Sequence, residues 1–454
     1  MCATSSIDYR ITVRPRTLLG FTLLFLCVAA LLPAADPEYL AGVATVDITP
    51  QNPIRLSGYA SRTASSMGVL QPLHAKALAI ARRKSEPVLI VTTDLIGLPR
   101  TITDVVAARL QRDFGVPRAA LLFNSSHTHT GPYVRGNLPL LFELSPVEKA
   151  VTDNYGDHLI EALVEVSGRA LMDLAPATLA SGHGAARFAI NRRPQGGPVD
   201  PDVPVLRVTA NGKVKAILFG YACHNTTLTG ENNQISGDYA GYAQAAVERH
   251  FPGATALFLM LTGADQNPSP RSTPALGQQH GQALGAEVVR VAQRPMTPVR
   301  GNLRAAFRVV DLDFEPTDRA TFEDRLADAN PARARHARAM LARLDAGQAL
   351  RRYPYPVQAI SFGGKFTVVA LGGEVVVDYA LALRQAYPDS GLVVAGYSND
   401  VMAYIPSLRV LREGGYEAID SMYYYGLPAP WAENTEKRIL ATVAAVMKAS
   451  GAAR

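Results

Sequence analysis

Apolar positions in this chain fall into short unbroken runs that stop abruptly at polar clusters, with helix-like periodicity between them. VLIVTTDL, residues 88–95, reads as a buried strand, and ITDVVAARLQRDFG after it as an amphipathic helix capped by Gly115. ALLFNSS, PVLRVTA, VKAILFGYA and ATALFLMLTG repeat the strand pattern, each ending where polar residues begin. QALGAEVVRVAQ predicts a helix, and KFTVVALGGE followed by VVVDYALALRQAY predicts a further strand-then-helix unit. Continuous apolar strands alternating with helices imply an α/β fold, a mixed β-sheet core flanked by helices. The pattern closes on a last helix, Glu436 to Ala449.

Two segments depart from this pattern. Arg10, Arg14 and Arg16 precede an almost wholly apolar stretch, Leu18 to Leu32, and small residues follow at Ala34 and Ala35. A basic start, an apolar run short for a bilayer and an Ala-rich end describe a signal peptide over residues 1–35. Export to a periplasmic or extracellular location is therefore expected, with an uncleaved N-terminal anchor as the alternative. The second segment, residues 317–352, is rich in Arg, Ala, Asp and Leu and reads as a charged helical insertion, a solvated surface helix or helical hairpin, within one domain spanning 36–454.

Composition changes the picture mainly by exclusion. Lys and Arg number 45 against 39 Asp and Glu, a formal net charge of +6 with both signs interspersed, which does not describe a nucleic-acid binder. Of three cysteines, Cys2 and Cys27 fall in the signal, leaving Cys223 with no partner for a disulfide and ruling out a cysteine zinc cage.

The unusual polar clusters sit just after predicted strands, at the carboxyl-end rim where α/β sheets bind ligands. Asn124-Ser-Ser-His-Thr-His-Thr-Gly-Pro132 places His127 and His129 two apart, so that on an extended segment both rings face one side. Imidazole is the commonest neutral-pH metal ligand and general base. Cys223-His-Asn-Thr-Thr227 adds His224 at another strand end. Asp265 and Asn267 lie in a Gly- and Pro-rich turn, and Asn191-Arg192-Arg193 can present a guanidinium to an anionic oxygen. Glu374 follows two glycines, and Tyr404 and Tyr416 close two glycine-containing loops.

In their order along the chain, these clusters resemble the catalytic domain of the neutral/alkaline ceramidases, secreted or surface zinc amidases that cleave the N-acyl bond of ceramide. The resemblance is carried by Ala44-Thr-Val-Asp-Ile-Thr-Pro50, Leu56-Ser-Gly-Tyr59, Leu73-His-Ala-Lys-Ala77, SSHTHTGP, Ile190-Asn-Arg192, YACHNTTL, ISGDYAGYA, LGGEVVVDYALALR and the Tyr404 to Tyr416 segment. It implies Zn2+ held by His127, His224, Glu374 and Tyr404 at the strand-end rim. His129 then either supports the ligands from behind or transfers a proton, with Arg192, Tyr416, Asp265 and Asn267 lining the catalytic cleft.

Two departures shape the expectation. The family's catalytic serine falls at Asn267, and an amide cannot act as a hydroxyl nucleophile. Ser269, two residues on, needs a shifted turn to replace it. Family members also usually carry a C-terminal immunoglobulin-like domain, which has no counterpart in this sequence. The expected activity is hydrolysis of ceramide or a related N-acyl lipid by metal-activated water, with apolar residues Leu138 to Phe142 lining an acyl groove. Peripheral membrane contact is compatible with a lipid substrate, and the sequence leaves the oligomeric state open. A metal hydrolase of another amide or ester, and a degenerate relative that binds lipid or glycan without turnover, are the alternatives.

Overall fold

The computed structural model describes residues 38–82 and 85–452, besides four isolated positions near the N-terminus. The segment read as a signal, residues 1–35, otherwise lies outside the described residues.

Two sheets form the body. The larger runs in the order Leu121–Ser125, Val88–Thr93, His74–Arg82, Tyr39–Asp47, Ala175–Ala185, Asp202–Ala210, Lys213–Tyr221 and Thr255–Met260, with the short Thr297–Val299 also paired to Ala175–Ala185. The smaller is Leu303–Asp313, Arg352–Phe362, Phe366–Leu371 and Leu392–Ala395. Both are mixed. The parallel pairs are Val88–Thr93 with Leu121–Ser125, Lys213–Tyr221 with Thr255–Met260, and Phe366–Leu371 with Leu392–Ala395. These strands carry unbroken apolar runs of the sequence, and each parallel pair needs a crossover rather than a hairpin. Helices Arg100–Phe114 and Asp238–His250 supply two such crossovers, the first ending at Gly115 in the left-handed region.

Asn124 joins the ends of the construction. Its amide nitrogen donates to Met260 O at 3.2 Å and Gly396 O at 2.8 Å, while its Oδ1 accepts from Met260 N at 2.8 Å. The first and last strands of the large sheet and the end of the small one therefore meet at one buried amide. The carboxyl ends of these three strands consequently lie together.

Residues 317–352 connect the antiparallel strands Leu303–Asp313 and Arg352–Phe362 and contain two helices, Arg319–Asp324 and Pro331–Asp345. Phe322, Ala337, Met340 and Leu341 give this segment a small core of its own.

Candidate metal centre

The polar clusters converge. After the strand Leu121–Ser125 the chain turns at His127, whose φ of 63° lies in the left-handed region that a side-chain-bearing residue rarely adopts. The backbone N–H of His127 donates to Leu95 O at 2.8 Å, which holds the turn. The two rings meet because of this turn, not through the strand alternation expected from a His–x–His pair. His129 Nε2 lies 3.0 Å from His127 Nε2, and His224 Nε2 lies 3.2 Å from the same atom.

Glu374 arrives from the other sheet. Gly373 at φ 72° lets the backbone reverse in a space where a Cβ would stand 2.6 Å from Ala403 O. The strands Glu374–Val375 and Tyr404–Ile405 then pair in parallel, setting Glu374 beside Tyr404. Glu374 Oε2 lies 3.0 Å from His127 Nε2 and 3.2 Å from His224 Nε2, and the Tyr404 hydroxyl lies 3.1 Å from His224 Nε2. All four residues are buried.

The tautomers are set from behind. His127 Nδ1 is 2.6 Å from Ile96 O and His224 Nδ1 is 2.9 Å from Gly263 O. A carbonyl accepts only from an N–H, so both Nδ1 atoms carry the proton and both Nε2 atoms face inward as lone pairs. Glu374 Oε2, also an acceptor, has no hydrogen-bond donor among the described residues. Three acceptors packed within about 3 Å of one another repel unless a cation sits among them. The donor set therefore fits a metal ion: His127, His129 and His224 could hold one, their ligand atoms lying within 4.8 Å of one another.

Electrostatics agree. Burial pushes His224 down to about 4, with Arg192 acting in the same direction, so its lone pair is available at neutral pH. Burial and the two neighbouring imidazoles hold His129 well below its ordinary value. Burial alone would raise Glu374, but positive charge placed at the facing imidazoles outweighs it and holds the carboxyl well below the usual range, so the pocket favours a cation beside this carboxylate. Burial raises the Tyr404 phenol well above its ordinary value, only partly countered by Arg192, and keeps it protonated.

Arg192 forms the adjoining wall. Its Nε donates to Glu417 Oε1 at 2.8 Å, one Nη to Asn267 Oδ1 at 3.3 Å and the other to the Tyr404 hydroxyl at 3.1 Å. Its guanidinium carbon also lies 5.7 Å from the Tyr416 ring centroid. Asn267 is held in a short antiparallel pairing opposite Ile190. A cavity of about 140 Å³ opens on the centre, bounded by His127, His129, Glu374, Tyr404, Tyr416 and, on its apolar side, Leu138 and Leu141.

Asp265, expected among the catalytic residues, is built into the scaffold. Its Oδ1 accepts from Val377 N at 3.0 Å and its Oδ2 from Asn191 Nδ2 at 2.9 Å, so both oxygens are already engaged and it positions the loop that carries Arg192. Ser269 lies away from the centre: its N–H donates to Phe188 O at 2.7 Å, and it lines a separate open groove with His280. Cys223 is buried core.

Several supporting residues were given no role by the sequence, although Tyr59 and Glu417 lie within or beside its motifs. Tyr425 donates to Glu374 Oε1 at 2.6 Å, Glu417 holds both Arg192 and Arg193, and the Tyr59 ring packs on His129 at 5.0 Å. Arg62, buried, donates to His129 O at 2.6 Å and to Ser57 O. It thereby pins Gly58, where a Cβ would stand 2.3 Å from His129 Nδ1. For Tyr425 the aromatic run at 423–425 was the visible hint.

Fold and site together define an α/β protein with a buried cluster of three histidines, able to hold a metal ion, at the ends of its strands. Residues 39–257 match the family model described as neutral/alkaline non-lysosomal ceramidase, N-terminal. The chain is 28% identical over 337 residues to the neutral ceramidase of Pseudomonas aeruginosa, covering 65% of this chain and 49% of that protein. It is 25% identical over 297 residues to the neutral ceramidase of Mycobacterium tuberculosis, 56% of this chain and 45% of that one. The crystal structure of the Pseudomonas aeruginosa neutral ceramidase superposes with a TM-score of 0.71 at 21% identity, over 90% of this chain and 74% of that one. Residues 39–257 thus carry the N-terminal domain of the neutral/alkaline ceramidases, and the chain shares the α/β fold of the Pseudomonas aeruginosa structure. It spans about half the length of the curated relatives it matches.

Proposed function

We propose that this protein is an exported zinc hydrolase that cleaves the N-acyl amide bond of ceramide or a closely related lipid. The observation that carries the reading is the inward convergence of two tautomer-fixed imidazoles, a third imidazole and an undonated carboxylate oxygen on one point beside a cavity. The family relationship supplies the substrate class.

His127, His224 and Glu374 would hold the ion, with Tyr404 adjoining. A Lewis acid there polarises a carbonyl and brings the ionisation of water toward neutrality. The remaining chemistry belongs to the chain. Arg192, fixed by Glu417, sets a permanent positive charge against the Tyr404 hydroxyl, so that the two groups face the oxygen on which negative charge develops. Water adds to the acyl carbon, the C–N bond breaks, and the amine leaves with a proton. His129 exchanges that proton through Nε2, since its Nδ1 is packed beneath Gly58. Asn267 cannot be acylated and instead orders Arg192, so no covalent intermediate forms.

The test is release of fatty acid from a short-chain fluorescent ceramide by the purified protein, with and without a chelator, alongside metal analysis. Metal-dependent release supports the reading. Protein that holds one ion and releases nothing from any N-acyl lipid would overturn it in favour of a hydrolase of other amides or esters, or of a binding protein.

A further inference from the structure

The helix Pro331–Asp345 belongs to the charged segment that reads as solvated surface. Yet three of its basic side chains, Arg335, His336 and Arg343, reach onto the backbone of the two loops that wall the cavity. Arg335 Nε donates to Leu140 O at 2.9 Å and its Nη2 to Leu141 O at 3.2 Å. His336 Nε2 donates to Leu427 O at 2.6 Å, and Arg343 Nη1 to Gly426 O at 2.8 Å. Arg333 pairs with Asp420 at 3.0 Å. The two loops also touch each other, Leu140 N donating to Tyr424 O at 3.1 Å.

These loops are the ones that meet the cavity. Leu138 and Leu141 form its apolar side, and Tyr416 and Tyr424 face them. Loops usually hold their shape through local bonds. Here Leu140 O and Leu141 O are taken by one guanidinium from a residue 195 and 194 positions away, respectively. A guanidinium fork spanning two successive carbonyls fixes the direction of both peptides, which an ammonium cannot do.

We infer that Arg335 is a specificity-determining positioning residue: by clamping the Leu140 and Leu141 carbonyls it holds the apolar wall against which the hydrocarbon tail of the substrate lies. The inference deepens the proposed function and rests on it for the identity of the substrate. The insertion is then the part of the chain that sets which tails the cavity accepts.

The experiment compares the full-length protein with Arg335→Gln and Arg338→Ala. Arg338 is a neighbouring side chain, 57% exposed, whose one ion pair is with Glu143 at 3.7 Å. Turnover of a short-chain and a long-chain N-acyl sphingoid amide is measured for each, together with amide hydrogen exchange. For Arg335→Gln, KM for the long-chain amide rises about tenfold, kcat for the short-chain amide stays within about twofold, and exchange quickens at residues 138–142. Arg338→Ala changes none of these. Leu141→Ala, which removes wall but not clamp, reproduces the long-chain KM shift and covers the case in which Arg335→Gln does not fold. Equal losses for both amides, or unchanged exchange at 138–142, would overturn the inference. A wild-type protein inactive on both amides sinks the proposed function instead, while the exchange contrast still decides whether Arg335 clamps the loop.

Discussion

Tyr425 donates its phenolic proton to Glu374 Oε1 at 2.6 Å, and so leaves Oε2 as the free face of the carboxylate. That oxygen is the one set 3.0 Å from His127 Nε2 and 3.2 Å from His224 Nε2. A carboxylate with one oxygen anchored cannot rotate, and outer partners of this kind tune a metal centre as much as its ligands do.

Tyr425→Phe is isosteric apart from the hydroxyl. It should weaken metal affinity about 10- to 100-fold while leaving the fold intact. Competition against a chromophoric chelator reads this directly. An unchanged dissociation constant would show that packing alone orients Glu374.

How far the sequence disclosed this centre depends on the range of the interaction involved. The apolar strands Val88–Thr93, Leu121–Ser125, Lys213–Tyr221 and Thr255–Met260 were legible because burial on both faces leaves an unbroken hydrophobic run. Leu303–Asp313 was not, because it is half-exposed along most of its length and carries Arg304 and Arg308 like a loop. The helix Pro146–Met172 passed unnoticed, although Ser145 and Glu148 form a capping box at its start. The candidate ligands lay in motifs at strand ends. Their supports did not: Tyr425 is 51 positions from Glu374, and Glu417 is 225 from Arg192. Pairings of that range leave no local pattern. The helix carrying Arg335 was misjudged for a related reason, since a charge pattern cannot tell a guanidinium in water from one on a buried carbonyl.

Glu417 is buried and shared, with one oxygen on Arg192 at 2.8 Å and the other on Arg193 at 2.7 Å. Replacing it by Gln removes the charge that both guanidinium groups face. Breaking a buried pair from one side costs about 3–5 kcal/mol, so a clear drop in melting temperature is expected. Because Arg192 also loses its fixed orientation toward Tyr404, kcat should fall about 10- to 100-fold with a smaller change in KM. A variant that loses stability but keeps kcat would mean that Arg192 does not face the reacting oxygen.

His336 gives the fold a defined acid sensitivity away from the metal centre. Burial pushes it down to about 4 from 6.5; Arg325 and Arg343 add to this and the bond to Leu427 O partly opposes it. Between pH about 6.5 and about 4 the unfolded chain therefore binds a proton that the folded chain refuses. Stability from this residue is full above that window and is lost as pH falls through it. His336→Gln, which keeps a donor for Leu427 O, should flatten the decline of melting temperature over the window. Other buried histidines share the direction, so the slope lessens without vanishing. An unaltered slope would mean that His336 is already protonated in the folded protein.

His129 can serve through one atom only. Its Nε2 touches His127 Nε2 at 3.0 Å, whereas Glu374 Oε2 lies close to His127 and His224. His129 is thus the outermost of the three imidazoles with respect to the carboxylate, placed to carry a proton more than to anchor an ion. His129→Ala should therefore lose less than about tenfold in metal affinity, far less than His127→Ala or His224→Ala, each of which would remove a proposed ligand outright. Activity should respond in the opposite proportion, with kcat down about 10²- to 10⁴-fold and one limb of its pH profile gone. Metal analysis beside the kinetic profile separates the roles. If His129→Ala sheds its ion as readily as His224→Ala, the third imidazole is a ligand, and the proton must leave by way of Tyr404 or Tyr416.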